Sequence, residues 1–214
     1  MIIIDKSLSK KFSDIERAQR VYLDPALPLV IRMDGKGVTR DHEVYHLIPC
    51  AEWRGPFFEA AKQTVEHYGS ELRGTGSAVI FCGMDEINII YSRGSDFLGL
   101  FDDTNAIYAA AMFLQEFTRR LRRMKGRETD FGISIFSIQP GQEEEYLSLR
   151  AAYVRKSALD YIAKVCNLGW SDEPDVMKGI YSLAERRAEK ETKKEPGFLE
   201  GLSDAVVFGN GYSV

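Results

Sequence analysis

The chain has 214 residues, 44% hydrophobic and 28% charged, a balance that suits one sizeable globular domain. Its net charge of -4 and pI of about 5.5 exclude an overall basic field, so any nucleic-acid contact has to come from a local basic patch. Three widely spaced cysteines, Cys50, Cys82 and Cys166, exclude a disulfide framework and a Cys-x-x-Cys metal site and fit a reducing cytoplasm, while Met1 to Asp5 is too short for a signal peptide and no apolar run suggests a membrane helix.

Residues 7–22 mix charge with Phe12, Ile15, Ala18 and Val21 on one stripe, which predicts an amphipathic helix. Pro25 and Pro28 break the chain before an apolar run over 29–34 that reads as a buried strand. That run ends in Asp34, and Gly35-Lys36-Gly37 follows at once. The glycines let main-chain N–H groups approach a ligand, and such a turn can point its amides at phosphate oxygens. A carboxylate alone repels phosphate, so the two fit best with a hard cation between them, Mg²⁺ above all. The plainer reading is a strand ending in an Asp-Gly turn.

Residues 38–53 contain His42-Glu43-Val44-Tyr45-His46, a letter match to the H-E-x-x-H zinc pattern. Asp41 and Pro49 leave little room for the helix that chemistry needs, and His67 is the only other histidine, so zinc binding is not expected. A helix is predicted over 55–69, with Phe57, Phe58, Ala61, Val65 and Tyr68 inward. Residues 77–91 then read as a β-hairpin whose tip, Gly83-Met84-Asp85-Glu86, carries two carboxylates. Asp34 and Asp85, each at a strand end, would clamp a pair of Mg²⁺ ions of the kind used in phosphoryl transfer.

Arg93, Gly94 and Asp96 are expected to open a loop, and Asp102-Asp103-Thr104 to cap a long helix running to Arg123. The end of that helix carries Arg119, Arg120, Arg122, Arg123, Lys125 and Arg127, which suit either the helix dipole or a phosphate-contacting patch, Arg119 and Arg123 lying on one face. Residues 131–138 alternate as a strand, and Glu143, Glu144 and Glu145 open a helix to about Val165. Segments at 173–183 and 184–195 read as helical and solvated, and a short apolar stretch, 205–208, follows Gly201.

The order from 29 to 138 is strand, helix, strand, strand, helix, strand. This predicts an α+β fold: a ferredoxin-like βαββαβ palm with an antiparallel sheet, an N-terminal helix and a helical C-terminal extension over about 142–214, all in one domain. In that topology the first and third strands are neighbours, and Asp34 and Asp85 fall at the same end of the sheet.

On these residues the chain resembles the tRNA-His guanylyltransferases and their bacterial and archaeal relatives. Arg32-Met33-Asp34-Gly35-Lys36-Gly37 is similar to that family's Arg-Ile-Asp-Gly-Lys/Arg segment, and Gly83-Met84-Asp85-Glu86 to its second acidic motif, Ser-Asp-Glu. Residues Leu8 to Tyr22 are similar to its leading helix, and Tyr146-Leu147-Ser148-Leu149-Arg150 to its Tyr-x-x-Trp-Arg segment. Phe131-Gly132-Ile133-Ser134 stands where the family has Phe-Asp-x-Arg. The resemblance implies a nucleotidyltransferase that adds nucleotides to RNA 5′ ends, tRNA above all, in the reverse of the usual polymerase direction. It implies two Mg²⁺ ions held by Asp34, Asp85 and the Gly35 carbonyl, with Glu86 completing the acidic pair. It also implies a GTP or ATP triphosphate on the amides of Lys36, Gly37 and Val38, and a homo-oligomer, a dimer or tetramer. A palm that binds nucleotide or RNA without transferring it is the alternative from another class; a nucleotide cyclase and a zinc protease rank below both.

Overall fold

A computed structural model describes residues 5–18, 23–36, 51–69, 78–83, 86–98, 106–125, 130–192 and 204–208. Within them, helix α1 (Lys6–Ala18) precedes strand β1 (Leu29–Gly35), helix α2 (Ala51–Gly69) and the strand pair β2 (Ala78–Cys82) and β3 (Glu86–Tyr91). A short helix α3 (Gly94–Leu98), the long helix α4 (Ala106–Lys125) and strand β4 (Phe131–Ser137) complete the palm order. Helices α5 (Glu143–Val165) and α6 (Pro174–Thr192) and strand β5 (Asp204–Phe208) follow.

The strands form one antiparallel sheet in the order β4-β1-β3-β2-β5. The ferredoxin-like order expected from the sequence is therefore present, with β1 and β3 adjacent. Two expectations need correction. The residues after Arg93 form α3 rather than opening a loop: Gly94 donates its N–H to the Leu27 carbonyl at 2.6 Å, which ties the segment to the approach to β1. The C-terminal extension is also not wholly helical. The apolar stretch at 205–208 pairs with β2 and extends the sheet, since an unpaired strand edge offers N–H and C=O groups that a further strand can satisfy.

Side chains alternate across each strand, so each strand has two addresses. Leu29, Ile31 and Met33 of β1 enter the core shared by Phe57 of α2 and Phe113, Phe117 and Leu121 of α4. Phe131 of β4 meets the rings of Phe57 and Phe117 edge-on, at 5.6 and 5.2 Å between centroids. Val30, Ile90 and Phe136 enter a separate cluster with Phe12 of α1 and Tyr146 and Leu149 of α5. Helices α2 and α4 thus cover one face of the sheet, and α1 and the start of α5 cover part of the other.

Gly83 shows how closely α5 approaches the hairpin. A Cβ at this position would lie 2.2 Å from Cγ2 of Val154. Gly83 donates its N–H to the Glu86 carbonyl at 2.9 Å and so closes the hairpin tip.

Candidate active site

The second face of the sheet changes character along its strands. Near α1 it is apolar, with Val30 opposite Ile90 and Phe136. One pleat further, Arg32 lies opposite Asn88 and Ser134, and one more brings Asp34 opposite Glu86 and Gly132. Residues paired across antiparallel strands point to the same side, so Arg32, Asp34, Glu86 and Asn88 share this face. Asp85, the other expected metal ligand, lies outside the described residues, as do Gly37, Val38, His42 and His46. Its chain neighbour Glu86 is directly across from Asp34, which puts the hairpin tip at the end of the sheet where Asp34 stands.

The two carboxylates are in different situations. Glu86 is 5% exposed and densely partnered. Arg150 of α5 grips it with two nitrogens, Nε donating to Oε1 at 2.9 Å and Nη2 to Oε2. Asn88 donates to Oε1 at 3.1 Å, and the Arg32 guanidinium stands 3.8 Å from Oε2. Tyr146 donates its hydroxyl hydrogen to Asn88 Oδ1 at 2.7 Å, which continues the network to the fully buried Asn88. Burying a carboxylate and an amide in a sheet core is tolerable because every group finds a partner.

Asp34 is more open, with about half of its side chain (52%) exposed. Among the described residues its carboxylate has one donor, Arg32 Nη2, 3.4 Å from Oδ2. Burial holds its carboxyl above the usual carboxylate value; Arg32 and Arg150 oppose that rise, and the charge of Glu86 adds to it. A partly open carboxylate held at a strand end, with spare lone pairs, is a hard oxygen donor of the kind Mg²⁺ takes. Among the described residues no three His, Cys, Asp or Glu side chains come together as a metal cage.

Lys36 follows at the same end of the sheet. Its N–H, expected to bind phosphate, donates to the Asp130 carbonyl at 2.8 Å, and its side chain is exposed. Any contact with an anion therefore falls to its ammonium. Gly132 lies beside the lysine stem: a Cβ there would sit 3.6 Å from Lys36 Cε and 3.8 Å from the Asp34 carbonyl oxygen. With no side chain of its own, the glycine leaves room for the lysine stem to lie against β4.

Of the expected basic patch, Arg119 and Arg123 lie across the sheet from these carboxylates. Arg119 and Arg123 are exposed on α4, which packs against the opposite face of the sheet. Arg119 is paired with Glu116 of its own helix, at 2.7 Å through Nε and 2.5 Å through Nη2. Arg120 pairs with the same carboxylate at 2.6 Å.

No family model matches the sequence, and no curated protein does. Solved structures do match. One is a bacterial tRNA(His) guanylyltransferase (Thg1)-like protein in complex with GTP, with a TM-score of 0.50 and 19% identity over 77% of this chain and 73% of that one. Another is a bacterial Thg1-like protein in complex with ATP, with a TM-score of 0.53 and 16% identity over 94% of this chain and 88% of that one. The chain has the Thg1-like fold. In this Thg1-like sheet the site also includes residues that sequence reading passed over. Arg150 lay in a segment singled out only for its resemblance, and apolar periodicity on α5 gives no reason to choose it. Asn88 had a visible signal, a lone amide within Ile87-Asn88-Ile89-Ile90, because a polar residue in a fully apolar strand implies a buried partner.

Proposed function

We propose that this chain is a metal-dependent nucleotidyltransferase of the tRNA-His guanylyltransferase type. It takes a nucleoside triphosphate, GTP or ATP, and adds the nucleotide to the 5′ end of an RNA in the 3′–5′ direction. The observation that carries this reading is the register of β1 and β3, in which Asp34 stands directly across from Glu86 and so beside the tip that bears Asp85. The Thg1-like fold and its solved relatives, one in complex with GTP and one with ATP, support it. Asp34 and Asp85 would hold two Mg²⁺ ions, with the Gly35 carbonyl as a further ligand. When bound, such ions stabilise charge on the attacking and leaving oxygens of phosphoryl transfer.

The chain's own residues have distinct tasks in this reading. Asp34 supplies an open carboxylate at the end of the sheet. Glu86 is committed to Arg150 and Asn88 and holds the hairpin in register. Lys36, whose stem lies beside Gly132, presents an ammonium to phosphate. Incubating the protein with Mg²⁺, labelled GTP or ATP and a truncated tRNA tests the proposal: label joins the RNA. A second reading, nucleotide binding without transfer, draws on Gly132 and Ser134, which lie opposite Asp34 and Arg32 where the resembled family has Asp and Arg. Triphosphate binding with no label on any RNA would favour it.

The Lys36–Gly132 arrangement makes its own prediction. Gly132→Asp adds a carboxylate within reach of the Lys36 ammonium, whereas Gly132→Asn adds the same bulk without charge. The first Cβ contacts are ordinary, so both variants should fold. Gly132→Asp is expected to weaken Mg²⁺-dependent binding of a fluorescent ATP analogue by about tenfold, roughly 1.4 kcal/mol, and Gly132→Asn by much less. Equal effects would remove Lys36 from the phosphate site.

A further inference from the structure

We infer that Arg150 is a positioning residue that occupies both oxygens of Glu86 and thereby keeps this carboxylate out of the metal site. The inference rests on the proposal that Asp34 and Asp85 bind divalent cations. Asp34 and Glu86 face each other on one side of the sheet, close enough for a cation to bridge them if both were free. They are not equally free. Arg150 takes both Glu86 oxygens in the planar two-point geometry that suits arginine and that lysine cannot reproduce. Both side chains are largely buried, 13% exposed for Arg150 and 6% for Glu86, so water does little to loosen them.

Arg150 is itself held in place. Its guanidinium lies over the Tyr153 ring, 5.1 Å from the centroid, and the Tyr153 hydroxyl is hydrogen-bonded to Ser9 of α1. Phe12 of α1 packs edge-on against Tyr146, 5.2 Å between centroids, and Lys11 pairs with Glu145 at 2.9 Å. Helix α1 thus braces the first turns of α5, from which Arg150 reaches the sheet. The chain spends an arginine, a tyrosine and a helix on fixing one carboxylate beside the candidate site. Glu86 already accepts from Arg150 through both oxygens and from Asn88, so in this reading a divalent cation would be held by Asp34 and Asp85. Arg32, which touches Asp34 and stands near Glu86, supplies the second positive charge that lets two opposed carboxylates coexist.

Binding of Mn²⁺ alone to the full-length chain, followed by electron paramagnetic resonance, tests this without any need for transfer activity. In the wild-type background Glu86→Gln should change the Mn²⁺ dissociation constant by less than about threefold. Arg150→Gln, by removing a positive charge and releasing Glu86, should tighten it by about fivefold or more. Adding Glu86→Gln to Arg150→Gln should reverse most of that gain, and Arg150→Lys should fall between wild type and Arg150→Gln. Circular dichroism on each variant separates altered binding from unfolding, and the Arg150→Lys result carries the test if Arg150→Gln does not fold. Loss of Mn²⁺ binding in Glu86→Gln alone would make Glu86 a ligand and overturn the inference. So would unchanged or weakened binding in folded Arg150→Gln. Should wild type bind no Mn²⁺ while Arg150→Gln binds it through Glu86, the metal reading of Asp34 fails and the role of Arg150 stands; if neither binds, both fail.

Discussion

Asparagine at position 34 is expected to abolish nucleotide transfer and leave the fold intact. The loss of activity should exceed the ~10–100-fold that outer-shell partners of a metal cost, because a direct anionic ligand is removed. Stability should move the other way. Burial raises the Asp34 carboxyl above the usual carboxylate value, so the native state holds that proton more tightly than the unfolded chain does. Between the unfolded and folded values, stability then falls as pH rises, and at neutral pH the ionised carboxylate is a liability. Its cross-strand neighbour Glu86 is also an anion, and opposed like charges destabilise a sheet by a few tenths to about 1 kcal/mol. Half of the Asp34 side chain is exposed, so solvent screens the effect and Asp34→Asn should gain stability at the low end of that range. The gain should vanish below the unfolded carboxylate value. The same raised value means that cation binding by the wild type weakens on acidification earlier than an ordinary carboxylate would allow. Denaturation curves at several pH values, beside transfer rates, check both halves; a variant with normal transfer, or one that fails to fold, would contradict the assignment.

Alanine at Gly83 should cost stability through a single collision. Its new Cβ would be placed 2.2 Å from Val154 Cγ2. Gly83 does not have a positive φ, so the requirement is space rather than backbone conformation. Valine on a helix has little rotamer freedom with which to yield, and Val154 is buried. Either α5 or the hairpin tip has to shift, at about 1–3 kcal/mol. For a chain of this length each kcal/mol lowers the melting temperature by about 2–4 °C. Val154→Ala makes room and leaves a small void, costing about 1–3 kcal/mol by itself. The double variant should be more stable than the sum of the two losses by at least about 1 kcal/mol, because one change relieves the strain of the other. Thermal melts of the three variants decide it, and strictly additive losses would show that α5 does not press on the hairpin. Transfer should fall with Gly83→Ala more than unfolding explains, since the displaced tip carries Asp85.

The palm was legible because its signals are local. Proline and glycine breaks, the β-branched runs at 29–34 and 87–91 and the apolar stripe of α4 give strand and helix in the right order, and order with right-handed crossovers gives the strand arrangement. The end of the sheet that bears Asp34 followed from that order. Strand β5 was less legible: five residues after a charge-dense helix read as a short apolar stretch, and only the free edge of β2 makes them a strand. The α3 segment was missed because Gly94 and Asp96 look like turn residues, while its anchor is a long-range bond to Leu27. At the site, sequence marked the acidic residues and could not rank them. Asp34 and Glu86 look alike on the page, and what separates them is Arg150, more than sixty residues further on, which neutralises one and leaves the other open. The cationic end of α4 shows the same limit. Its charge density suited either the helix dipole or a phosphate-contacting patch, and the sequence could not say that helix packing puts Arg119 and Arg123 across the sheet from Asp34 and pairs Arg119 with Glu116.

The position of label in the RNA product tests the central claim most directly. The protein is incubated with Mg²⁺, α-labelled GTP or ATP and a panel of RNAs that includes 5′-truncated tRNA, and the product is digested to locate the label. The account predicts label at the RNA 5′ end with the wild type, none without Mg²⁺, and none with Asp34→Asn. Label at the 3′ end, label that persists in Asp34→Asn, or bound triphosphate with no labelled RNA would contradict it.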